Sequence, residues 1–276
     1  MCRVLRVSRS GYHAWLGRPA SSRARADERL GAEIRRIYQD SRATYGSPRV
    51  HAELRASGVR VGRKRVERLM RAQGLTARPP RRKYRAAIVE QAVAAVADNV
   101  LERKFDTERP DQVWVTDITY IRTWQGWLFL AVVIDLFSRK VVGWSMADHM
   151  RTELVLDAFE SAAGRRLATT GLLHHSDRGS QYTSWSYQRA LKDAEVRCSM
   201  SRRGNCFDNA VVESFFGSLK TELVHRHSWP TRDGARLAIH DYIGTFYNPK
   251  RRHTANGLVS PDEFEERYHH ERQMAA

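Results

Sequence analysis

Residues 112–121 read QVWVTDITYI, and the fold of this 276-residue chain is decided there. β-branched and aromatic side chains suit a pleated, half-buried surface, so the stretch is expected to be a strand. Working outward, residues 127–135 (WLFLAVVID) and 140–145 (KVVGWS) are two more strands, parted by a short Leu-Phe-Ser-Arg turn. Three strands in such close succession form an antiparallel meander. Residues 152–167 read as an amphipathic helix, 172–177 as a buried strand, 184–194 as a helix and 196–200 as a short strand. A long helix over about 208–224 follows, with Val212, Phe215, Phe216, Leu219 and Leu223 on one apolar face. Three strands followed by alternating helices and strands make a layered α/β fold.

Toward the N-terminus the composition changes. The net charge is +16, yet residues 1–85 hold 23 Lys and Arg against 6 Asp and Glu, whereas residues 86–276 hold 24 against 25. Charge kept only for solubility would be spread along the chain. Its concentration in one segment is the footprint of a polyanion. Nucleic acid is favoured over an anionic membrane, because the segment is not one amphipathic helix with a broad apolar face.

Residues 27–74 read as three short helices. The first, 27–38, carries Leu30, Ile34 and Ile37 at helical spacing. The second begins at Ser47 and Pro48, an expected N-cap and a proline at the first helical position. It turns Val50 and Leu54 inward and stops before Gly58. The third follows Gly62, buries Val66, Leu69 and Met70, ends at Gly74, and lines its outer face with Arg63, Lys64, Arg65, Arg68 and Arg71. Two short helices joined by a turn, the second strongly basic, suit a helix-turn-helix; a solvated hairpin with a charged face is the plainer alternative. Residues 2–16 look like the last part of another such motif, turning near Val7, Ser8 and Arg9. A domain encoded before Met1 is expected from this, visible as a longer native form in N-terminal sequencing. Residues 76–85 (TARPPRRKYR) are a stiff basic linker, and 86–104 read as a helix carrying Ile88, Val93, Val96 and Val100. The expected organisation is a basic helical region over 1–75, a linker over 76–108 and a catalytic α/β core with a C-terminal extension over 109–276.

No run approaches 18 apolar residues, and the Met-Cys-Arg-Val-Leu-Arg start has no apolar stretch with a small-residue cleavage site. Cys2, Cys198 and Cys206 are odd in number and contain no CxxC pair, so a reducing cytoplasm is expected.

Three acids carry the chemistry. Asp117 lies inside the most hydrophobic strand, where an ionised carboxylate costs several kcal/mol unless something pairs with it. Asp177 closes the second conspicuous strand, at HHSDRG. Glu213 stands on the late helix among apolar positions. Each alone would more often be structural; their joint placement points to a site. Oxygen donors of this kind suit Mg²⁺, and a pair of such ions serves an in-line displacement at phosphorus. Lys220, seven residues and almost two turns after Glu213, shares its face about 10 Å away. Gly217 leaves that face open to a DNA backbone, so Lys220 is expected to hold a phosphate. Asn209, one turn before Glu213, and Arg178 are further DNA-contact candidates. His175 and Ser176 are expected as hydrogen-bond partners of Asp177, with a satisfied core histidine the equal alternative. Asp135 also ends a hydrophobic strand, but is read as a turn partner for Ser138 or Arg139. In the tail, Asn248, Lys250, Arg251, Arg252 and His253 stand together and are expected to pack on the core with a basic edge toward DNA. His225/His227 and His269/His270 lack the further ligands a metal site needs.

The segments VWVTDITYI, IDLFSRKVVGW, HHSDRGSQY, NCFDNAVVESFFGSLKTEL and YIGTFYNPKRRHTANGLVSP resemble the OrfB transposases of the insertion-sequence-three family, whose catalytic core is similar to that of retroviral integrases. The 35 residues between Asp177 and Glu213 match the D,D(35)E spacing of that family, and Lys220 matches its basic residue seven positions after the glutamate. The likeness extends to YGSPRVHAEL and KRVERLM near the N-terminus, while a retroviral HHCC zinc module is missing. The resemblance implies a ribonuclease H-like core with a mixed five-stranded sheet, preceded by a small all-α helix-turn-helix-like domain. It further implies DDE catalysis by Asp117, Asp177 and Glu213 with Mg²⁺ (Mn²⁺ substituting), two ions when DNA is bound. The expected reaction is cleavage and strand transfer at insertion-sequence ends. The implied partners are terminal inverted repeats and target DNA, further copies of the chain, and an upstream OrfA protein or its frameshift fusion, all at the bacterial nucleoid. A nuclease of the same fold that never joins, and a non-catalytic DNA-binding regulator, are the rival readings.

The basic N-terminal third makes its own expectation. DNA affinity should fall with salt at a log–log slope steeper than about −4 in a titration from 50 to 200 mM, one unit per phosphate neutralised. A flat salt response would remove the polyanion reading.

Overall fold

The computed structural model describes residue 4 and residues 7–77, 107–166, 170–201 and 210–275. Most of the linker and the helix expected over 86–104 lie outside the described residues. The chain divides into two units, Met1–Ala77 and Arg78–Ala276.

In the first unit, α1 (Arg9–Leu16) buries nothing and is capped by Ser8, whose Oγ accepts the Gly11 N–H at 3.0 Å. α2 (Ser22–Asp40) starts five residues before the apolar periodicity does, because Ser21 accepts the Ala24 N–H at 3.1 Å and caps it there. α3 (Ser47–Ala56) departs from the expected start: Gly46 is the N-cap, without a side-chain bond, and Ser47 is already helical. α4 (Arg63–Ala72) follows Gly62. Ile34, Ile37, Tyr45, Val50, Leu54, Val66, Leu69 and Met70 form the buried core of this unit. Gly58 and Gly74 end α3 and α4 in the left-handed region, at φ +79° and +68°, where any Cβ is strained.

The second unit is built on β1 (Val113–Thr123), β2 (Gly126–Asp135), β3 (Val141–Ala147), β4 (Leu173–Ser176) and β5 (Arg197–Met200), ordered β3-β2-β1-β4-β5. β1 pairs antiparallel with β2 and parallel with β4, so the sheet is mixed and its central strand is the one containing Asp117. This is the ribonuclease H-like layering expected from the strand order. α5 (Thr152–Arg166) and α6 (Trp185–Asp193) cover one face over a core that includes Trp114, Phe159, Tyr187 and Leu191. Gly143 on β3 is required by that packing, since a Cβ there would collide with the α5 backbone at Ala158 and Ala162. α7 (Ala210–Glu222) touches β1. α8 (Arg232–Asp241) runs into a π-helical turn, Tyr242–Tyr247, and α9 (Pro261–Met274) closes the chain. Among the described residues no helix is long and apolar enough to cross a membrane.

Asp135 is the turn partner it was read to be. It is fully buried and accepts the Ser138 N–H (2.8 Å), the Ser138 hydroxyl (2.7 Å) and the Asp111 N–H (2.9 Å). The same Ser138 hydroxyl oxygen lies 2.6 Å from Glu265 on α9, so the two carboxylates share its one proton, and Arg166 grips Glu265 with both terminal nitrogens, at 3.1 and 2.7 Å. This network fastens α9 and the end of α5 to the β2–β3 turn. Burial pushes the Asp135 carboxyl up to about 6.

His174 supplies a pH signature. It is fully buried, pairs through Nε2 with the Tyr187 hydroxyl at 2.7 Å, and is pushed down to about 3 by burial and then by the neighbouring His175. Below about pH 6.5 the unfolded chain takes up a proton that the folded chain refuses, so stability is lost as pH falls. His174→Phe should cost about 1–3 kcal/mol at pH 7.5, by leaving the buried Tyr187 hydroxyl unpaired. That cost should shrink by about 1 kcal/mol at pH 5.5 in denaturant unfolding. A cost independent of pH would show that His174 is charged inside.

Candidate active site

Along β1 and β4, Val113, Trp114 and Val115 stand opposite Leu173, His174 and His175. Carried two residues further, this register sets Asp117 level with Asp177, the first residue beyond β4. Neighbouring strands lie about 4.8 Å apart, so the two carboxylates share one edge of the sheet. Asp117 Oδ1 accepts the Ile118 N–H at 2.7 Å, and Asp177 Oδ1 accepts the Gly179 N–H at 2.9 Å. A Cβ at position 179 would sit 3.0 Å from that same oxygen and from Gln181 Oε1, so any other residue there would press on the Asp177 carboxyl.

Glu213 enters from α7, in its first turn, while Val212, Phe215, Phe216 and Leu219 bury the opposite side of the helix. Asp117 registers the whole group. Its carboxyl is pushed up to about 7, first by burial and then by the negative charge of Asp177, with Glu213 adding to the rise and the Ile118 N–H and Lys220 opposing it. Asp177 is exposed as a residue, yet its carboxyl folds back into the turn and is also raised, by burial, against the Gly179 hydrogen bond. Lys220 lies over the Tyr120 ring, 5.1 Å from its centre, three residues along β1 from Asp117. The site therefore combines three like charges with one nearby ammonium.

Such a set fits a hard dication by its chemistry: all donors are carboxylate oxygens, and the Asp117 carboxyl, raised first by burial, also feels the charges of Asp177 and Glu213 that a dication would offset. Among the described residues no three His, Cys, Asp or Glu side chains close around a single point, so Glu213 meets the aspartates through its field and not as part of a closed cage.

The remaining candidates divide. Asn209 lies outside the described residues. Arg178 turns back, its Nε donating to the Ser201 carbonyl at 2.8 Å. His175 is the core histidine of the alternative reading: Nδ1 meets Ser199 Oγ at 2.9 Å and Nε2 meets Ser201 Oγ at 3.1 Å, because β5 runs alongside and presents both serines. Ser176 gives its hydroxyl to the Asp177 carbonyl at 2.9 Å, not to the carboxylate. The expected pairing of His175 and Ser176 with the Asp177 carboxyl is corrected accordingly. On α4, Arg63 and Lys64 are exposed, whereas Arg65 and Arg68 reach Asp27 of α2 at 2.7 and 2.6 Å.

The tail packs on the core as expected, and its basic edge is corrected. Arg251 and Arg252 are buried, and only Lys250 of the basic run is exposed. Arg251 holds Glu222 of α7 at 2.8 and 2.7 Å and Ser218 at 3.0 Å, with Tyr242 donating to Glu222 at 2.8 Å. Asn248 clasps Val141 on β3 through both N–H and C=O, at 3.0 and 2.9 Å. Sequence reading missed this anchor for α7, since adjacent arginines look identical whether they face DNA or a buried glutamate. It also missed the exposed Trp124 and Trp127 at the β1–β2 turn, although tryptophans flanking a tight turn are themselves a signal.

Residues 107–206 match the family described as Integrase core domain, residues 25–84 an HTH-like domain, and residues 213–268 a second Integrase core domain family. The chain is 42% identical, over all 276 residues and the full length of the relative, to an uncharacterized 31 kDa protein of insertion element IS600 from Shigella sonnei. It is 43% identical over 267 residues, 96% of this chain and 92% of the relative, to transposase InsF for insertion sequence IS3A from Escherichia coli K12. Among solved structures, a chain of a simian T-cell lymphotropic virus intasome matches with a TM-score of 0.48 and 14% identity, over 84% of this chain and 74% of that one.

The raised Asp117 carboxyl has a measurable consequence. Between about pH 4 and 7 the folded chain keeps a proton that the unfolded chain has released, so this group lowers stability as pH rises and its full cost stands above pH 7. Asp117→Asn removes that cost. The variant should be more stable than the wild type at pH 8 without divalent cation, by on the order of 1–3 kcal/mol, and the gap should close at pH 4. Equal stability at both pH values would mean that Asp117 feels no like charge.

Proposed function

The chain belongs to the insertion-sequence-three family of transposases, and on that premise we propose that its second unit cuts and joins DNA through Asp117, Asp177 and Glu213. One observation supports the assignment of these residues: the parallel register of β1 and β4 brings Asp117 level with Asp177, and the Asp117 carboxyl, raised first by burial, also feels Asp177 and Glu213, with Lys220 opposing them.

The reaction follows from the chemistry of phosphodiesters. Water attacks phosphorus at the element end, the P–O3′ bond breaks, and a 3′-OH is released. That hydroxyl attacks a second phosphodiester, forming a new P–O bond as another 3′ oxygen leaves. The number of phosphodiesters is conserved in the joining step, so no external energy source is needed. Asp117, Asp177 and Glu213 would hold Mg²⁺ or Mn²⁺, two ions with DNA bound. When bound, the metal supplies positive charge and Lewis acidity at phosphorus. Lys220 binds a neighbouring phosphate and fixes the strand against α7. Asn209 contacts the same strand, as do the terminal guanidinium nitrogens of Arg178, whose Nε is taken up by the Ser201 carbonyl. Arg63 and Lys64, with the outer nitrogens of Arg65 and Arg68, carry the phosphate contacts of the basic helical region over residues 1–75, which holds terminal inverted repeats or DNA generally. Self-association on DNA and an upstream OrfA protein complete the working complex, in the cytoplasm at the nucleoid.

Mg²⁺- or Mn²⁺-dependent cleavage and joining of a labelled element end tests the proposal, comparing wild type with Glu213→Gln. The variant should lose at least roughly 100-fold in both steps while still binding DNA, since even an outer partner of a metal ligand is worth up to that much. Cleavage without joining in the wild type would favour a nuclease. Equal activity in both proteins would remove Glu213 from the site.

A further inference from the structure

Beyond Lys220 the β1–β2 hairpin presents ring faces to solvent. Trp124 is 77% exposed, Tyr120 55% and Trp127 46%. Exposed aromatics of this size at a hairpin tip are costly for solubility and do nothing for the core. They are nevertheless held firmly. Gly126 makes the turn at φ +107°, the Trp124 N–H donates to the Trp229 carbonyl at 3.0 Å, and Arg232 donates to Gln125 Oε1 (2.9 Å) and the Trp127 carbonyl (3.1 Å). The hairpin tip is thereby pinned to the connection between α7 and α8. Between them lies an open groove of about 490 Å³, within the range of sites that take a ligand-sized group. Its charged lining is basic, Arg122 and Lys220, with His225 and His227 beside them, and no acid lines it among the described residues.

We propose that this groove is a stacking site for unpaired bases of single-stranded DNA. The proposal rests on the DNA-cutting reading for its choice of polyanion and extends it to a substrate feature. Bases stacked in a duplex have no free faces, whereas an unpaired base can lie on an aromatic ring, and cations alongside hold its phosphate. Placement supports this occupant. Tyr120 lies about 10 Å along β1 from Asp117, and Lys220 about 10 Å along α7 from Glu213. The groove therefore lies within about 10 Å of the acids, close enough to receive the bases next to the cut once they are unpaired. A second copy of the chain is the competing occupant of an exposed aromatic face, but it is disfavoured by the uniformly basic charge, which two identical surfaces would have to bring together.

The test uses the full chain and a single-stranded oligonucleotide carrying 5-iododeoxyuridine, cross-linked by light and mapped by peptide mass spectrometry. Cross-links are expected within residues 120–127. Trp124→Ala should reduce them at least roughly fivefold, the loss of one stacked base. Unlabelled oligothymidylate should compete better than duplex of equal length. Glu213→Gln should keep the cross-links while losing cleavage, so the stacking site and the catalytic assignment succeed or fail separately. Cross-links confined to residues 7–77, or equal competition by duplex, would overturn the proposal. So would sedimentation showing that Trp124→Ala and Trp127→Ala dissociate an oligomer while leaving the cross-links unchanged.

Discussion

Parallel strands deliver their C-terminal ends to the same edge of a sheet, and antiparallel strands deliver them to opposite edges. The pairing of β1 with β4 is parallel and that of β1 with β2 is antiparallel. Two aspartates that look alike in sequence are separated by this alone. Asp177, just beyond β4, comes level with Asp117. Asp135, at the end of β2, pairs with Trp114 near the start of β1, far enough back to be taken into a turn and satisfied by backbone and hydroxyl donors. The crossover that parallel pairing requires consists of β2, β3 and α5; its Phe159, with Trp114 of β1 and Tyr187 of α6, fills one face, and the site opens on the edge that α7 adjoins.

α7 is held under opposing demands. Its first turn brings Glu213 into the field of two other carboxylates, while its last turn is tied down by Arg251. A buried ion pair is a weak source of net stability, but removing one partner leaves an unpaired charge, so the pair fixes geometry more than it adds energy. Bidentate contact with Glu222, a third contact to Ser218 and the Tyr242 hydroxyl on Glu222 leave the last turn one register. The like-charge cluster is thus carried on a helix whose other end is over-determined, which is how strain at a site persists in a folded protein.

The strands and helices of the core were legible because their signals are local. β-branched runs marked β1 and β2, a short stretch opening on Leu172 and Leu173 marked β4, and the spacing of Val212, Phe215, Phe216 and Leu219 marked α7. Asp117, Asp177 and Glu213 stood out because each interrupts such a run. What was not legible depends on partners distant in sequence. His175 faces serines 24 and 26 residues away, and Arg251 faces a glutamate 29 residues away. No periodicity announces either one. Ser47 was taken for a cap from its residue type, yet the cap position is fixed by where the backbone leaves the extended region, and that falls at Gly46.

The basic N-terminal unit shows how counted charge differs from presented charge. α4 carries Arg63, Lys64, Arg65, Arg68 and Arg71, but Asp27 takes up two of them and Glu67 a third. Asp27 is held below its ordinary range by hydrogen bonds, first from Arg68 and then from Arg65, so that pairing persists at neutral pH. The ion pairs join α2 to α4 and orient the helix, leaving Arg63 and Lys64 exposed in its first turn. There the open N–H groups and the helix dipole add to their charge, and a phosphate placed at that end meets the whole sum. Arg65 and Arg68 position the helix through Asp27, while the exposed Arg68 and Arg71 add to the charge that the first turn presents.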